Sequence, residues 1–600
     1  MGLWARAARE LRFLRGLSRT LGRVRSIAAE SDWLTCDDLE AAVDRRRAAP
    51  AITFEGKTVT YGELDALANR YANWAKARGV KRGEVVALFM PSRIEYIAVW
   101  YGLSKVGVAT ALVNNQLTGP ALIHCLNISG AVHLIADAET APIFEGVRDQ
   151  LSRSMTEWIV GGLPPGARAD RDLDRTLKGV SALRPDRSTA RAGLTAKEVV
   201  LYVYTSGTTG MPKAAKVTHM RAQLYMRGFW AATEAAPTDR LYCPLPLYHA
   251  TGGLCAVGAA LLGGGVLILK KRFSAAHFWR DVVEERATMF AYIGELCRYL
   301  VNQPEQPEER QHKVRLIFGN GMSTEVWAQV QNRFRIPKIL EFYGSTEGNV
   351  SLMNLDGRRG AVGRIPKYMR KKFNVRLVRF DPEAETPTRG PNGFCIECRP
   401  GEIGEAVGMI NAADPRFAYS GYADKAASNA KVLRDVFAKG DAWFRTGDLL
   451  RQDGDGYFYF VDRVGDTFRW KGENVSSSEV TAHLLEAPGV KEAEVYGVEV
   501  QGQEGRAGMA ALVTDGSFDL EAFAAHVDVT LPPYARPVFI RIQPALSTTS
   551  TFKHRKVELV AEGFNPSRTD EPLYVRERDG PYQPIDRPRY ARIQGGKVRL

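Results

Sequence analysis

The stretch YTSGTTGMPKAAKVTH, residues 204–219, follows the apolar run VVLYV and places hydroxyls, two glycines and Lys213 in close succession. Small residues let backbone N–H groups approach an anion, while hydroxyls and a lysine add donors and charge, so the loop reads as a phosphate cradle. Its spacing differs from the G-x-x-x-x-G-K-[ST] motif, because only two residues separate Gly207 from Gly210, and Met211 and Pro212 precede the lysine. A plain solvent turn is the competing reading of the loop taken alone. A strand that ends in such a loop belongs to the parallel-sheet α/β class, where ligands gather at the carboxyl ends of strands.

The surrounding chain repeats the pattern. Upstream, residues 86–137 alternate short apolar runs with helical stretches such as RIEYIAVWYGLSKVG and GPALIHCLNIS. Downstream, VRLIFGNG and KILEFYGSTEG again end apolar runs with small or polar residues, which can converge on one nucleotide site. The uncharged tract ATGGLCAVGAALLGGGVLIL, residues 250–269, reaches transmembrane length, but its glycines favour a packed helix, a turn and a buried strand. Beyond it, GDAWFRTGDLLRQDGDGYFYFVDRVGDTFRWKGENVSSSEV is dense in turns and marks a domain boundary; VKEAEVYGVEV and AGMAALVTD then suit a small sheet, with LEAFAAHVDVTL and HRKVELVAEG as helices.

Six hundred residues with 45% hydrophobic content bury substantial cores and exclude a disordered class. Seven cysteines without a regular framework point to a reduced, cytoplasmic protein, with Cys395 and Cys398 as structural or incidental thiols. The formal charge of +13 suits nucleic acid, an anionic membrane surface or anionic substrates. No nucleic-acid motif accompanies it, so nucleic acid is not expected. In residues 1–30, Leu3, Leu11, Leu14, Leu17 and Leu21 oppose Arg12, Arg15, Arg19 and Arg23 on a helical wheel. Three readings suit this segment: peripheral attachment to the inner face of a membrane, a helix packed on the protein, or a disordered basic extension.

The motifs YTSGTTGMPK, PLPLYHATGG, EFYGSTEG, WFRTGD and YFYFVDRVGDTFRWKGENVSSSEV together resemble, in order, the adenylate-forming acyl-CoA synthetases of the ANL superfamily, and more closely the very-long-chain acyl-CoA synthetase and fatty acid transport protein family. The resemblance covers residues 51–563. It implies an α/β fold with a large multi-subdomain adenylate-forming N-terminal domain, placed at 45–464, and a small mobile α+β C-terminal domain, placed at 465–565. The proline-rich residues 566–600 read as a wrapping or flexible tail. It also implies ATP, magnesium and coenzyme A, with a carboxylate converted to an acyl-adenylate and pyrophosphate and then to a thioester.

Roles follow residue by residue from the same resemblance. Thr205, Ser206, Gly207, Thr208, Thr209, Gly210 and Lys213 surround the ATP phosphates. Tyr343 stacks on adenine, Thr346 binds phosphate, Glu347 holds magnesium or is a surface carboxylate, and Gly319, Asn320 and Gly321 line the adenine edge and acyl pocket, unless the glycines merely end a strand. Asp448 and Arg463 meet the ribose end, with an ordinary ion pair as the alternative. His249 shapes the carboxylate pocket or packs in the core. Lys553, in TFKHRK, is the adenylation lysine, with Arg555 and Lys556 as the alternatives in a shifted register. Gly465 is the hinge, and Lys471, Gly472 and Asn474 line coenzyme A passage, with an exposed rigid turn as the main alternative. Trp230, Tyr292 and Leu296 are either gates of a hydrophobic acyl pocket or core residues. The expected substrate is a hydrophobic carboxylic acid, with long or very-long fatty acids first; transfer to a carrier-protein thiol and non-enzymatic membrane lipid uptake are the competing functions.

Overall fold

The computed structural model describes residues 3–205, 211–381, 384–471, 473–501, 503, 505–546, 556–578, 580–598 and 600. Ser206, Gly207, Thr208, Thr209, Gly210, Gly472 and Lys553 therefore lie outside the described residues. The chain divides into two compact units, one of residues 1–364 and 409–432, the other of residues 365–408 and 433–600.

The first unit holds two sheets. In one, Val85–Phe89 is flanked by parallel strands Ala109–Leu112 and His133–Asp137, and Val199–Thr205 continues the parallel set before reversing into Lys213–Thr218. Every residue of VVALF is buried, as a strand covered on both faces requires. In the other, Met289–Ile293, Leu316–Asn320 and Ile339–Gly344 run parallel in succession, so IGE, NGM and GSTEG emerge at one edge. Register sets Gly319 opposite both Tyr292 and Glu341.

The tract 250–269 is internal. Thr251–Ala256 and Gly258–Leu262 form wide-turned helix buried from Gly252 onward, and Val266–Leu269 is a sheet strand between Arg240–Cys243 and Pro50–Phe54. A Cβ on Gly258 would lie 2.3 Å from Met226 Cα, so glycine is what lets this helix meet His219–Thr233 backbone to backbone. No helix among the described residues is long and apolar enough to cross a membrane.

The N-terminal segment is a helix, Leu3–Val24, and it packs on the first unit. Its buried face is Phe13, Leu17 and Val24, whereas Leu11 and Leu14 face outward with Trp4. The expected grouping of Leu17 with Leu11 and Leu14 is thus split, and two of the arginines placed opposite the leucines grip the protein. Arg19 donates to Ala231 O at 2.7 Å and pairs with Glu234 at 2.9 Å; Arg23 lies over the Trp230 ring at 3.5 Å.

In the second unit, Tyr457–Arg463, Ala442–Gln452, Ile403–Met409 and Val375–Asp381 pair in that order, and a five-stranded sheet follows. The helices Leu520–Thr530 and Lys556–Glu562 form where the apolar periodicity places them. The stretch after Phe564 differs from a loose tail: Leu573–Arg576 and Tyr582–Pro584 complete the five-stranded sheet, and Val575, Tyr582 and Ile593 enter its core. Its prolines are tolerated because Tyr582–Pro584 is the edge strand.

Candidate active site

In the first unit, Thr205 and Lys213 are direct cross-strand partners, so they close the loop quoted above from both sides. The Lys213 ammonium stands 5.8 Å from the Tyr422 ring centroid, and the Tyr422 hydroxyl donates to Glu347 Oε1 at 3.0 Å. Tyr422 is held there by its neighbours' backbone: Lys216 N donates to Gly421 O at 3.0 Å and Ala423 N to Ala214 O at 2.8 Å. Burial and the adjacent Glu347 carboxylate keep the phenol well above its ordinary pKa, so it remains a donor. Cation, phenol and carboxylate therefore form one row joining the glycine-rich loop to GSTEG.

The helix His219–Thr233 makes a second link between these segments. Thr218 caps it, accepting from Arg221 N at 3.2 Å. From its first turns, Arg221 Nη2 and the Tyr225 hydroxyl donate to Ser345 O at 3.3 and 3.0 Å. Thr346 and Glu347 are half-buried beside that fixed carbonyl, and Tyr343 is buried one strand residue earlier, opposite Leu352. Asn349 ends the turn, donating from Nδ2 to Met409 O at 2.9 Å and Phe417 O at 2.8 Å.

Gly319 permits a close approach: a Cβ there would lie 2.2 Å from Tyr292 O. Gly321 has φ +82°, a conformation suited to glycine, and Asn320 is half-buried between them. Beneath these glycines Glu341 is almost fully enclosed, accepting from Met322 N at 3.1 Å and from the Tyr292 hydroxyl. Burial pushes its carboxyl up to about 8. Of the two readings of Tyr292 and Leu296, the structure gives core: both are wholly buried, and the Tyr292 hydroxyl is committed to Glu341. Trp230 is half-buried and donates to Ala235 O at 3.1 Å. His249 packs its ring on Tyr248 at 4.6 Å, and its carbonyl accepts from Gly253 N at 2.7 Å as the buried helix begins.

In the second unit, Asp448 and Arg463 are directly opposite in the antiparallel ladder, with Nε 3.6 Å from Oδ1. Arg463 is 43% exposed, so the pair contributes little to stability by itself and leaves the guanidinium accessible to a polar ligand. Next to it, buried Asp462 accepts from Ser477 N at 2.7 Å and Ser478 Oγ at 3.1 Å, fixing the start of the helix Ser477–Leu484. Gly465 has φ +91° with open space where a Cβ would stand. Lys471, at φ +51°, is exposed beside Trp470, in the turn joining Phe468–Trp470 to Glu473–Val475; Asn474 lies opposite Arg469 in that hairpin. Lys556 is tied down, with Nζ 2.9 Å from Glu494, 3.5 Å from Asp466 and 2.9 Å from Ser477 Oγ.

Among the described residues no group of three or more His, Cys, Asp or Glu side chains is placed to hold a metal ion. Cys395 and Cys398 are free thiols, and burial raises both. A lone half-buried carboxylate such as Glu347 suits magnesium, which is commonly held by one or two carboxylates plus substrate phosphates.

Glu341 opens the motif EFYGSTEG but has no role assigned by it, and Tyr422, Arg221 and Tyr225 are site neighbours outside every quoted motif. Each acts through a contact between distant segments, and none stands in a local spacing that would mark it.

The family profile described as "AMP-binding enzyme" matches residues 39–402, and "AMP-binding enzyme C-terminal domain" matches residues 479–553. The chain is 39% identical over 601 aligned residues to long-chain fatty acid transport protein 1 of Mus musculus, covering 99% of this chain and 92% of that protein. It is 42% identical to long-chain fatty acid transport protein 3 of Homo sapiens, covering 86% and 76%. Among solved structures, the anthranilate CoA ligase AuaEII in complex with anthranoyl-AMP matches with TM-score 0.75 and 20% identity, over 90% of this chain and 98% of that one. A Mycobacterium tuberculosis fatty acyl CoA synthetase matches with TM-score 0.61 and 25% identity, over 88% and 99%.

Proposed function

This chain belongs to the AMP-binding enzyme family and, within it, to the very-long-chain acyl-CoA synthetase and fatty acid transport protein group, and from that premise we propose that its substrates are long- or very-long-chain fatty acids. It has the adenylate-forming ANL fold and is an AMP-forming acid:CoA ligase that uses ATP, magnesium and coenzyme A. The observation that carries the substrate class is the high identity, across nearly the whole chain, to relatives named for long-chain fatty acids.

The carboxylate oxygen attacks the α-phosphorus of ATP, the bond to the bridging oxygen breaks, and pyrophosphate leaves. The coenzyme A thiolate then attacks the acyl carbonyl and AMP leaves, so neither step needs an acyl-enzyme cysteine. Lys213 and the loop it closes offset charge on the phosphates, and Tyr422 orients Glu347. Glu347 would hold magnesium, which would supply positive charge to offset that on the phosphates. Tyr343 and the glycine edge take the adenine, Asp448 and Arg463 take the ribose end, and Lys553 stabilises the charge that develops during adenylation. The confinement of Lys556 by Glu494, Asp466 and Ser477 supports Lys553, rather than its neighbour, as the reaching cation. Gly465 is the hinge between the two half-reactions, its positive φ marking a turn that side-chain-bearing residues resist. Lys471, Gly472 and Asn474 line the coenzyme A path. The outward Trp4, Leu11 and Leu14 face supports peripheral membrane attachment.

The test is mass spectrometry of single turnovers over a panel of fatty acids from short to very long, with ATP, magnesium and free coenzyme A. Acyl-AMP should precede acyl-CoA and be most abundant for long chains. A preference for short or aromatic acids would overturn the substrate class, and acyl transfer confined to a carrier protein would overturn the acceptor.

A further inference from the structure

Where the N-terminal helix ends, it encloses a cavity of about 520 Å³ together with the helix Thr35–Arg46 and the outer face of His219–Thr233. Gln223, Arg227 and Trp230 look into it, whereas Arg221 and Tyr225, on the opposite face of their helix, reach Ser345 in the nucleotide site. The lining carries Arg23, Arg25, Arg45 and Arg227 against a single carboxylate, Asp38.

That carboxylate is already committed. Arg227 donates to it twice, from Nε at 2.8 Å and Nη2 at 2.7 Å, and Trp33 Nε1 donates at 2.8 Å. Among the described residues no carboxylate pairs with Arg23, Arg25 or Arg45. Arg23 lies flat on Trp230 at 3.5 Å, and its partial burial, with Arg45 nearby, holds it below its ordinary pKa. Three unpaired guanidinium groups thus surround a cavity walled by Trp33 and Trp230, which favours an anion with several oxygen acceptors.

We propose that this cavity is a phosphate-binding subsite, and that its occupant is the headgroup of an anionic phospholipid. The choice of a lipid source follows from where the cavity opens. At 3.6 residues per turn, Trp4, Leu11, Arg15, Ser18 and Gly22 share one outward stripe of the N-terminal helix, and Gly22 and Arg25 form the cavity rim. A bilayer that receives the exposed Trp4 and Leu11 therefore meets the arginines at headgroup level. Apart from Trp230, the lining contains no residue named for the ligase reaction; only the choice of lipid over soluble phosphate rests on the membrane reading.

The experiment compares the full chain with R25Q/R45Q and with K57Q/K81Q, which removes the same charge from exposed positions elsewhere on the same unit. Each is sedimented with phosphatidylcholine vesicles with and without phosphatidic acid, titrated with glycerol 3-phosphate, and assayed for acyl-CoA formation on a soluble substrate. Loss of phosphatidic acid binding by about tenfold in R25Q/R45Q, with less than twofold change in K57Q/K81Q and unchanged catalysis, is the expected result. Glycerol 3-phosphate binding that R25Q/R45Q abolishes, without a matching loss of vesicle binding, would keep the phosphate subsite and overturn its lipid source. Equal losses in both double variants, or none in either, would overturn the subsite itself, while failure of acyl-CoA formation in the unaltered chain would bear only on the proposed reaction.

Discussion

The Tyr422 hydroxyl donates to Glu347 Oε1 at 3.0 Å, although 75 residues separate them. The contact fixes one carboxylate oxygen, and among the described residues no hydrogen bond engages the other, an arrangement suited to a carboxylate that meets a metal ion in one orientation. Tyr422→Phe removes a hydrogen bond to a charged acceptor, worth about 1.5–3 kcal/mol. Pyrophosphate exchange should slow by roughly ten- to a hundredfold, with more magnesium needed for half-maximal rate. Glu347→Gln should do worse in both respects. An unchanged magnesium dependence in Tyr422→Phe would show that the phenol does not position the metal ligand.

Glu341 makes stability depend on pH. Its carboxyl is raised by burial from 4.5 to about 8, so the folded chain binds a proton that the unfolded chain releases between those values. The stabilisation is complete below pH 4.5 and is lost as pH rises through about 8, a change on the order of a few kcal/mol. Glu341→Gln keeps an acceptor for Met322 N without the titration. Denaturant midpoints measured from pH 5 to 9 should therefore fall less steeply in the variant; parallel curves would mean that Glu341 is ionised throughout.

Much of the candidate site was legible because its parts are strand ends rich in glycine and hydroxyls, and those signals are local. Thr205 with Lys213, Gly319 with Gly321, and Asp448 with Arg463 could each be found within one motif or two neighbouring ones. Tyr422 could not, and Glu341, although it opens EFYGSTEG, could not be given its partners, because register and chain return, which no single segment encodes, bring these contacts together. The N-terminal helix was legible as a helix, but its buried side depends on Phe13 and Val24 meeting the first unit, and the leucines alone mislead. The ending was misread for a related reason: prolines lower strand propensity, yet the edge of a sheet accepts them.

Lys553 and Lys556 should separate cleanly. Lys553→Ala should suppress acyl-AMP formation by at least about a hundredfold while sparing conversion of supplied acyl-AMP and coenzyme A, since its charge is assigned to adenylation alone. Lys556→Ala leaves Glu494 and Asp466 without their cation and should lower stability by about 1–3 kcal/mol, slowing both half-reactions only as far as folding is lost. Gly465→Pro, forced from φ +91° to about −65°, should impair passage between the half-reactions. Selective loss of adenylation in Lys556→Ala, with Lys553→Ala intact, would move the reaching cation three residues along.

The outward face of the N-terminal helix yields the last prediction. Trp4 is 89% exposed, Leu11 49% and Leu14 39%, an apolar strip that costs free energy in water unless something covers it. Moving each leucine into a bilayer gains up to about 1.5–3 kcal/mol, and outward arginines add attraction to anionic headgroups that salt weakens. Deleting the helix is a poor test, because it would also remove Phe13, Leu17 and Val24 from the core and strip Trp230 of its arginine. The triple change W4S/L11S/L14S leaves that packing in place. It should reduce binding to neutral and anionic vesicles alike by at least about tenfold, whereas raising salt should weaken only the anionic component. Acyl-CoA formation from a soluble substrate should stay near the original rate, since none of the altered side chains is assigned a part in the reaction. Vesicle binding unchanged by the triple variant would mean that the strip does not enter a bilayer, and lost catalysis with binding intact would mean that it packs against another part of the enzyme during turnover.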